Sequence, residues 1–159
     1  MNIIRPLLIL LGLSLLVSCG LFGPDEEEIS GITHTLEDGT VVDADPDDWQ
    51  VEVASGDRES WVTIAPAYPN PVVSPNKIDF SIELAIASEV TIDIVDTKGD
   101  RVQRLIQNQL QAGNHTFAWY LVDDEGKNAP DGFYRAHITI TDARNPDNVI
   151  RSYGDIKVE

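Results

Sequence analysis

The side chain best placed for chemistry is the only cysteine, Cys19, at the end of an apolar segment running from Leu7 to Val17. Arg5 lies just ahead of that segment, and Leu16-Val17-Ser18 directly precedes the thiol. A positive start, a short apolar run and small residues are the layout of a secretory signal. A transmembrane helix needs about 20 apolar residues, more than Pro6 to Val17 supplies. An ordinary signal peptide would leave Cys19 as an unpaired thiol in an oxidising compartment, where cysteines usually come in pairs. The second candidate is Asp43-Ala44-Asp45-Pro46-Asp47-Asp48. Carboxylates at alternate positions suit calcium, which takes about six to eight oxygens. Against the calcium loop of about twelve residues, however, Asp48 stands where glycine makes the sharp turn and Ala54 where a bidentate glutamate closes the site. Pro46 also stiffens a loop that must wrap. Asp43, Asp45, Asp47 and Asp48 are thus candidate calcium ligands, weighed against a solvated acidic linker that fits the pattern better. No other metal or cofactor is expected. His34, His115 and His137 show no zinc spacing on one element. There is no Gly-x-Ser-x-Gly elbow and no phosphate-cradling loop ahead of a helix, so no enzymatic activity is expected. Trp49, Trp61, Tyr120 and Phe133 are aromatics not assigned to a core face. They could grip a sugar ring, although Trp49 and Trp61 are also placed to cap the open end of a sandwich.

Leu16-Val17-Ser18-Cys19 resembles the lipobox of bacterial lipoproteins. The resemblance implies cleavage before Cys19, a diacylglycerol on its thiol and an acyl chain on the new N-terminus. Each buried methylene contributes about 0.8 kcal/mol, and two or more chains anchor stably where one does not. Gly20, rather than an aspartate, after the cysteine implies sorting to the outer membrane. On this reading residues 1–18 are a lipoprotein signal peptide. The protein reaches the membrane through the lipid, in the cell envelope.

Composition agrees with a lipid rather than a protein-charge anchor. The 159 residues carry a formal charge of −16, which argues against nucleic acid as a partner, since phosphate binding needs clustered Lys and Arg, and against docking on anionic headgroups. The charge is uneven. Residues 20–60 hold thirteen acids and one base, Arg58, whereas residues 61–159 hold fourteen acids and nine bases. Asp25-Glu26-Glu27-Glu28 repels itself in any compact state. Residues 19–48 are accordingly expected to form a flexible acidic tether, dispensable for folding. The tether could carry a small hairpin at Glu37-Asp38-Gly39 between Thr33-His34-Thr35 and Thr40-Val41-Val42.

From residue 49 onward the pattern becomes period two. Ile78, Phe80, Ile82 and Leu84 alternate with polar residues, as do Val90, Ile92 and Ile94. Thr97-Lys98-Gly99-Asp100 turns the chain into Arg101 to Gln107, where poorer alternation predicts a bulge. Phe117, Trp119 and Leu121 share a face, and Tyr134, Ala136, Ile138 and Ile140 share another. Asn145-Pro146-Asp147-Asn148 reads as a last turn, followed by separate strands at Val149–Tyr153 and Ile156–Val158. About seven strands with no amphipathic helix predict an all-β antiparallel sandwich over residues 49–159, large enough to fold without disulfides.

Ala67-Tyr68-Pro69-Asn70-Pro71, Ile78-x-Phe80-x-Ile82, Val90-x-Ile92-x-Ile94-x-Asp96-x-x-Gly99, Gly113-x-His115-x-x-x-Trp119 and Gly132-Phe133-Tyr134 occur in this order. The set resembles the Ig-like, fibronectin III-like sandwich of flagellar hook-capping proteins. It is also similar to the C-terminal sorting domains of type IX secretion substrates. The resemblance covers residues 62–141. It implies the fold, with Pro69, Asn70, Pro71, Gly99, Gly113, Trp119, Gly132 and Tyr134 as structural positions. Pro69 and Pro71 stiffen the approach to the first core strand, Gly99 and Gly132 suit positive φ, and Trp119 fills the core. The function expected is a lipid-anchored envelope module that binds or scaffolds a protein partner. The alternatives are a sorting module for surface export, or a calcium- or carbohydrate-binding envelope protein.

Overall fold

The computed structural model describes residues 29, 31–53, 61–74 and 76–159. Cys19, the apolar segment before it and the acidic run Asp25–Glu28 lie outside the described residues. The described strands are β1 (His34–Thr35), β2 (Val41–Asp43), β3 (Glu52–Val53), β4 (Val62–Ile64), β5 (Ile78–Leu84), β6 (Ser88–Asp96), β7 (Arg101–Leu110), β8 (Gly113–Trp119), β9 (Gly132–Asp142) and β10 (Asn145–Val158). The architecture is an all-β, Ig-like sandwich. One sheet runs β3-β10-β9-β6-β7, the other β4-β5-β8, and β1-β2 form a separate hairpin. Every strand pairing is antiparallel.

Period-two patterning builds the core directly. Ile78, Phe80, Ile82 and Leu84 of β5 face Val90, Ile92 and Ile94 of β6 and Ala136, Ile138 and Ile140 of β9, all buried. Successive side chains of a strand point to opposite faces, so each run commits one row to the interior. Trp119 ends β8 with no exposed surface. Its indole N–H donates to the Val122 carbonyl at 2.8 Å, and its ring meets Tyr134 edge-on at 5.0 Å. Tyr134 in turn donates its hydroxyl to the Pro130 carbonyl four residues upstream, at 2.6 Å. Gly99, Gly113 and Gly132 hold positive φ of 79°, 135° and 155°, a region where a Cβ is strained.

The expected bulge in β7 is present twice. Ile92 pairs with Ile106 but Asp93 with Arg104, and Ile94 pairs with Gln103 but Val95 with Arg101. Leu105 and Val102 are the extra residues. A bulge re-aims the side chain beside it, so Val102, Leu105 and Ile106 all reach the core although their spacing does not alternate.

Two expectations are corrected. The last strand is continuous from Asn145 to Val158 rather than split, and its turn lies at Ala143-Arg144. Gly154, which looks like a strand breaker, is the seat of Trp49: a Cβ there would clash with the indole Cε2. More consequentially, residues 31–48 are not a free tether, and the boundary expected at residue 49 does not hold. The hairpin forms, with Gly39 at φ 81°, but the segment is built into the sandwich as a strap. Thr33, Thr35 and Asp48 are buried, and Trp49 joins the core rather than capping an end.

Candidate functional site

The strap is held by a buried polar cluster that centres on Asn70, the residue between the two prolines. Thr35 and Asn70 exchange backbone hydrogen bonds at 2.8 and 3.1 Å, and the Thr35 hydroxyl donates to the Ala67 carbonyl at 2.7 Å. The Asn70 carboxamide nitrogen donates to the carbonyls of Thr33 at 3.0 Å and Asp155 at 2.8 Å. Its oxygen accepts the Lys157 N–H at 3.0 Å. Asn70 has no exposed surface, and both its donors and its acceptor are used, as burial requires. Asp48 completes the clasp from the other side. Its Oδ2 accepts the Thr33 N–H at 2.7 Å and its Oδ1 the Asp155 N–H at 2.9 Å. Strap, Pro-Asn-Pro corner and last strand therefore converge on Asp155. The carboxylate of Asp155 takes Arg135 in two bonds of 2.6 and 2.8 Å, and that guanidinium stacks over Tyr153 at 4.4 Å.

Trp49 locks the clasp into the core. It sits at φ 59°, a left-handed conformation costing a non-glycine residue roughly 1–2 kcal/mol. Its backbone N–H donates to the Tyr153 carbonyl at 2.7 Å. The turn drives the indole across Gly154 towards Phe80 of the opposite sheet, with ring centroids 6.3 Å apart.

The four aspartates proposed as calcium ligands do not converge. Asp48 is committed to two backbone amides, and Asp45 Oδ1 caps the Asp47 N–H at 3.0 Å. Asp43 and Asp47 are exposed. Among the described residues, no group of three or more His, Cys, Asp or Glu is placed to hold a metal ion. Burial raises the Asp48 carboxyl above its ordinary value; the amides of Asp155 and Thr33 oppose this, while Asp155 and Asp45 add to it by repulsion.

The three histidines are on different strands. His34 is exposed on β1, His115 on β8 lies over Phe117, and His137 on β9 lines a recess of about 310 Å³ with Asp47, Arg151 and Tyr153. Of the unassigned aromatics, Trp49 is buried and Trp61 packs against the core, whereas Tyr120 and Phe133 are exposed.

A larger recess, about 550 Å³, opens at one end of the sandwich between the β6–β7 turn and the β8–β9 loop. Its acids are largely occupied with their own backbone. Asp96 Oδ1 accepts the N–H groups of Lys98 and Asp100, and Asp123 Oδ1 those of Glu125 and Lys127. Asp124 pairs with Arg101 at 3.3 Å and accepts the Arg104 N–H at 3.0 Å. The structure assembles no nucleophile–base pair from these groups.

Asn70 belongs to a structural motif of the sequence, but its clasp role, and the parts played by Gly154 and Asp155, emerge only in the fold. The available signals were an amide between two prolines, where no side-chain partner is near in sequence, and a glycine inside an alternating strand, which marks close approach.

The family model for the FlgD Ig-like domain matches residues 74–144, from just before β5 to just past β9. No curated protein matches the chain. Among solved structures, the chain is similar to FlgD from P. aeruginosa, at 19% identity and a TM-score of 0.43, covering 72% of this chain and 78% of that one. It is also similar to FlgD from Xanthomonas campestris, at 20% identity and a TM-score of 0.43, covering 68% and 70%. A third is the CARDB domain of the PF1109 protein from Pyrococcus furiosus, solved with di-metal ions, at 16% identity and a TM-score of 0.35, covering 70% and 90%. The chain thus carries, over residues 74–144, a module similar to the FlgD Ig-like domain, extended by a strap on one side and a long last strand on the other.

Proposed function

We propose that this protein is a non-catalytic binding or scaffolding module held at the cell envelope by lipid on Cys19. The observation that carries the reading is Leu16-Val17-Ser18-Cys19 closing a short apolar segment, with a single cysteine in the whole sequence. Acylation explains both why there is one thiol and why it stands there. The similarity of residues 74–144 to the FlgD Ig-like domain supports a scaffolding role. Fold alone does not assign function, so the partner must be found at the surface. Gly20 favours the outer membrane, and the charge of −16 makes the lipid, not the protein surface, the membrane-binding element.

The test is labelling of cells with a clickable fatty acid. Wild type incorporates label and stays with membranes through a carbonate wash, whereas Cys19→Ser loses both. A Cys19→Ser protein that remains fully membrane-bound refutes the anchor. Crosslinking in intact envelopes followed by solubilisation then asks for a stoichiometric partner; recovery of secretion-machinery components instead favours a sorting module.

A further inference from the structure

Where the strap hairpin meets the module, a shallow pocket of about 280 Å³ is lined by Glu37, Pro69, Asn76, Lys77, Asp79 and Tyr120. Tyr120 is 65% exposed, the most exposed of the large apolar or aromatic side chains among the described residues. It lies between two buried residues, Trp119 and Leu121. Leu121 holds φ 56°, a costly conformation for a branched side chain, pinned by the Ala129 N–H donating to its carbonyl at 2.8 Å. The ring is therefore presented from a rigid corner. In the same lining, both carboxylate oxygens of Asp79 accept Lys77 Nζ, at 2.6 and 2.7 Å. The Lys77 ammonium is raised above its ordinary value, first by those bonds and in smaller part by the neighbouring Tyr120 and Tyr68. Asp79 is fixed in turn by reciprocal backbone bonds to Tyr68, at 3.0 and 2.7 Å. The Tyr68 ring also supports the hairpin tip, lying 3.6 Å from where a Gly39 Cβ would stand.

We propose that this pocket binds an uncharged sugar ring, with Tyr120 as the stacking platform. An aromatic face beside closely spaced donors and acceptors matches a pyranose, which offers an apolar C–H face and a rim of hydroxyls that both donate and accept. An ionised carboxylate accepts about four hydrogen bonds, so Asp79 keeps capacity after holding Lys77, and Glu37 and Asn76 complete the rim. Asp79 neutralises Lys77 and Glu37 adds a further negative charge, which disfavours acidic sugars. A protein partner is the weaker match. Its hot spots need contiguous apolar surface, and none of Leu36, Val41, Val42, Val51, Val73 or Phe133 lines the pocket. Glu37 and Pro69 lie outside residues 74–144, so the matched module alone does not contain the whole site, and the docked strap supplies its Glu37 wall. The site does not depend on lipidation of Cys19.

The full chain is applied to a glycan array spanning uncharged, amino and acidic sugars, and hits are titrated as free methyl glycosides by NMR. Saturable binding of at least one uncharged saccharide is expected, weakened at least tenfold by Tyr120→Ala and by Asp79→Ala. Tyr120→Phe retains it, and the exposed Tyr120→Ala variant keeps the wild-type unfolding midpoint. Binding to no uncharged sugar overturns the proposal. So does binding that Tyr120→Ala leaves unchanged, or binding confined to acidic sugars. A protein crosslinked at position 120 without glycan binding also overturns it and makes the surface a protein interface. None of these results bears on acyl labelling of Cys19, which stands or falls separately.

Discussion

Replacing Asn70 by alanine tests whether the strap is structural. The substitution removes three side-chain hydrogen bonds: to the Thr33 carbonyl at 3.0 Å, the Asp155 carbonyl at 2.8 Å and the Lys157 N–H at 3.0 Å. Thr33 and Asp155 are buried, so their carbonyls lose a partner that water cannot readily replace, whereas Lys157 is half-buried. A buried group left unpaired costs about 1–3 kcal/mol. With the more accessible third bond, the loss comes to about 3–6 kcal/mol, a large share of the ~5–15 kcal/mol that holds a domain together. Asn70→Asp at neutral pH is a sharper probe. It keeps an acceptor for Lys157 but turns a carboxylate oxygen towards two carbonyl oxygens, so it should cost at least as much despite its nearly identical shape. Urea unfolding followed by tryptophan fluorescence reads both as a lower midpoint at constant slope, and hydrogen exchange should speed at the Thr35 and Lys157 amides. A loss below about 1 kcal/mol for Asn70→Ala, or wild-type stability for Asn70→Asp, would refute the clasp.

Trp49→Ala should cost about 3–5 kcal/mol, as for other large core aromatics, measured by the same unfolding. Gly154→Ala should also be strongly destabilising because its Cβ would enter the indole. The double variant should lose little more than Trp49→Ala alone, since the clash then has no partner; full additivity would separate the two residues. Asp48 should titrate above the ordinary 3.8, because burial outweighs its two amide donors. The folded form then holds this proton more tightly than the unfolded chain does. The Asp48 contribution to stability accordingly grows as pH falls through the raised midpoint and levels off below 3.8. A carboxyl-carbon NMR midpoint at or below 3.8 would show that the donors win. Asp48→Asn should lower the thermal midpoint, whereas Asp43→Asn and Asp47→Asn, at exposed positions, should leave it unchanged within measurement error.

The sheets were legible because one-sided burial writes itself into sequence as alternation. Ile78 to Leu84 and Tyr134 to Ile140 could be assigned to a face residue by residue. The bulged β7 was legible only as a disturbance, because an extra residue breaks the period without indicating which side chain turns inward. The strap was misread for a physical reason. Its acids suggested solvation, yet Asp48 is buried because its charge is met by the N–H groups of Thr33, 15 residues away, and Asp155, 107 residues away. Backbone donors carry no sequence signature, and contacts at that separation leave no local pattern. Gly154 misled in the same way: only the residue occupying its empty side, Trp49, explains it. Tyr120 could be named as an exposed aromatic, but Glu37 of the hairpin joins Pro69, Lys77 and Tyr120 only once the hairpin is docked.

The docked strap also sets a leash length. With the protein anchored at Cys19, as proposed, a free chain up to Trp49 could extend to about 100 Å at ~3.3–3.6 Å per residue. Fixing the chain from Gly31 onward leaves only the stretch between Cys19 and Gly31, at most about 40 Å long. On that anchor the clasp would act as a length setting: closed, it would hold the sandwich close to the membrane; opened, it would more than double the radius the module can sweep. With Cys19 lipidated, as proposed, two buried residues, Asn70 and Asp48, would set how far from the membrane the module can reach.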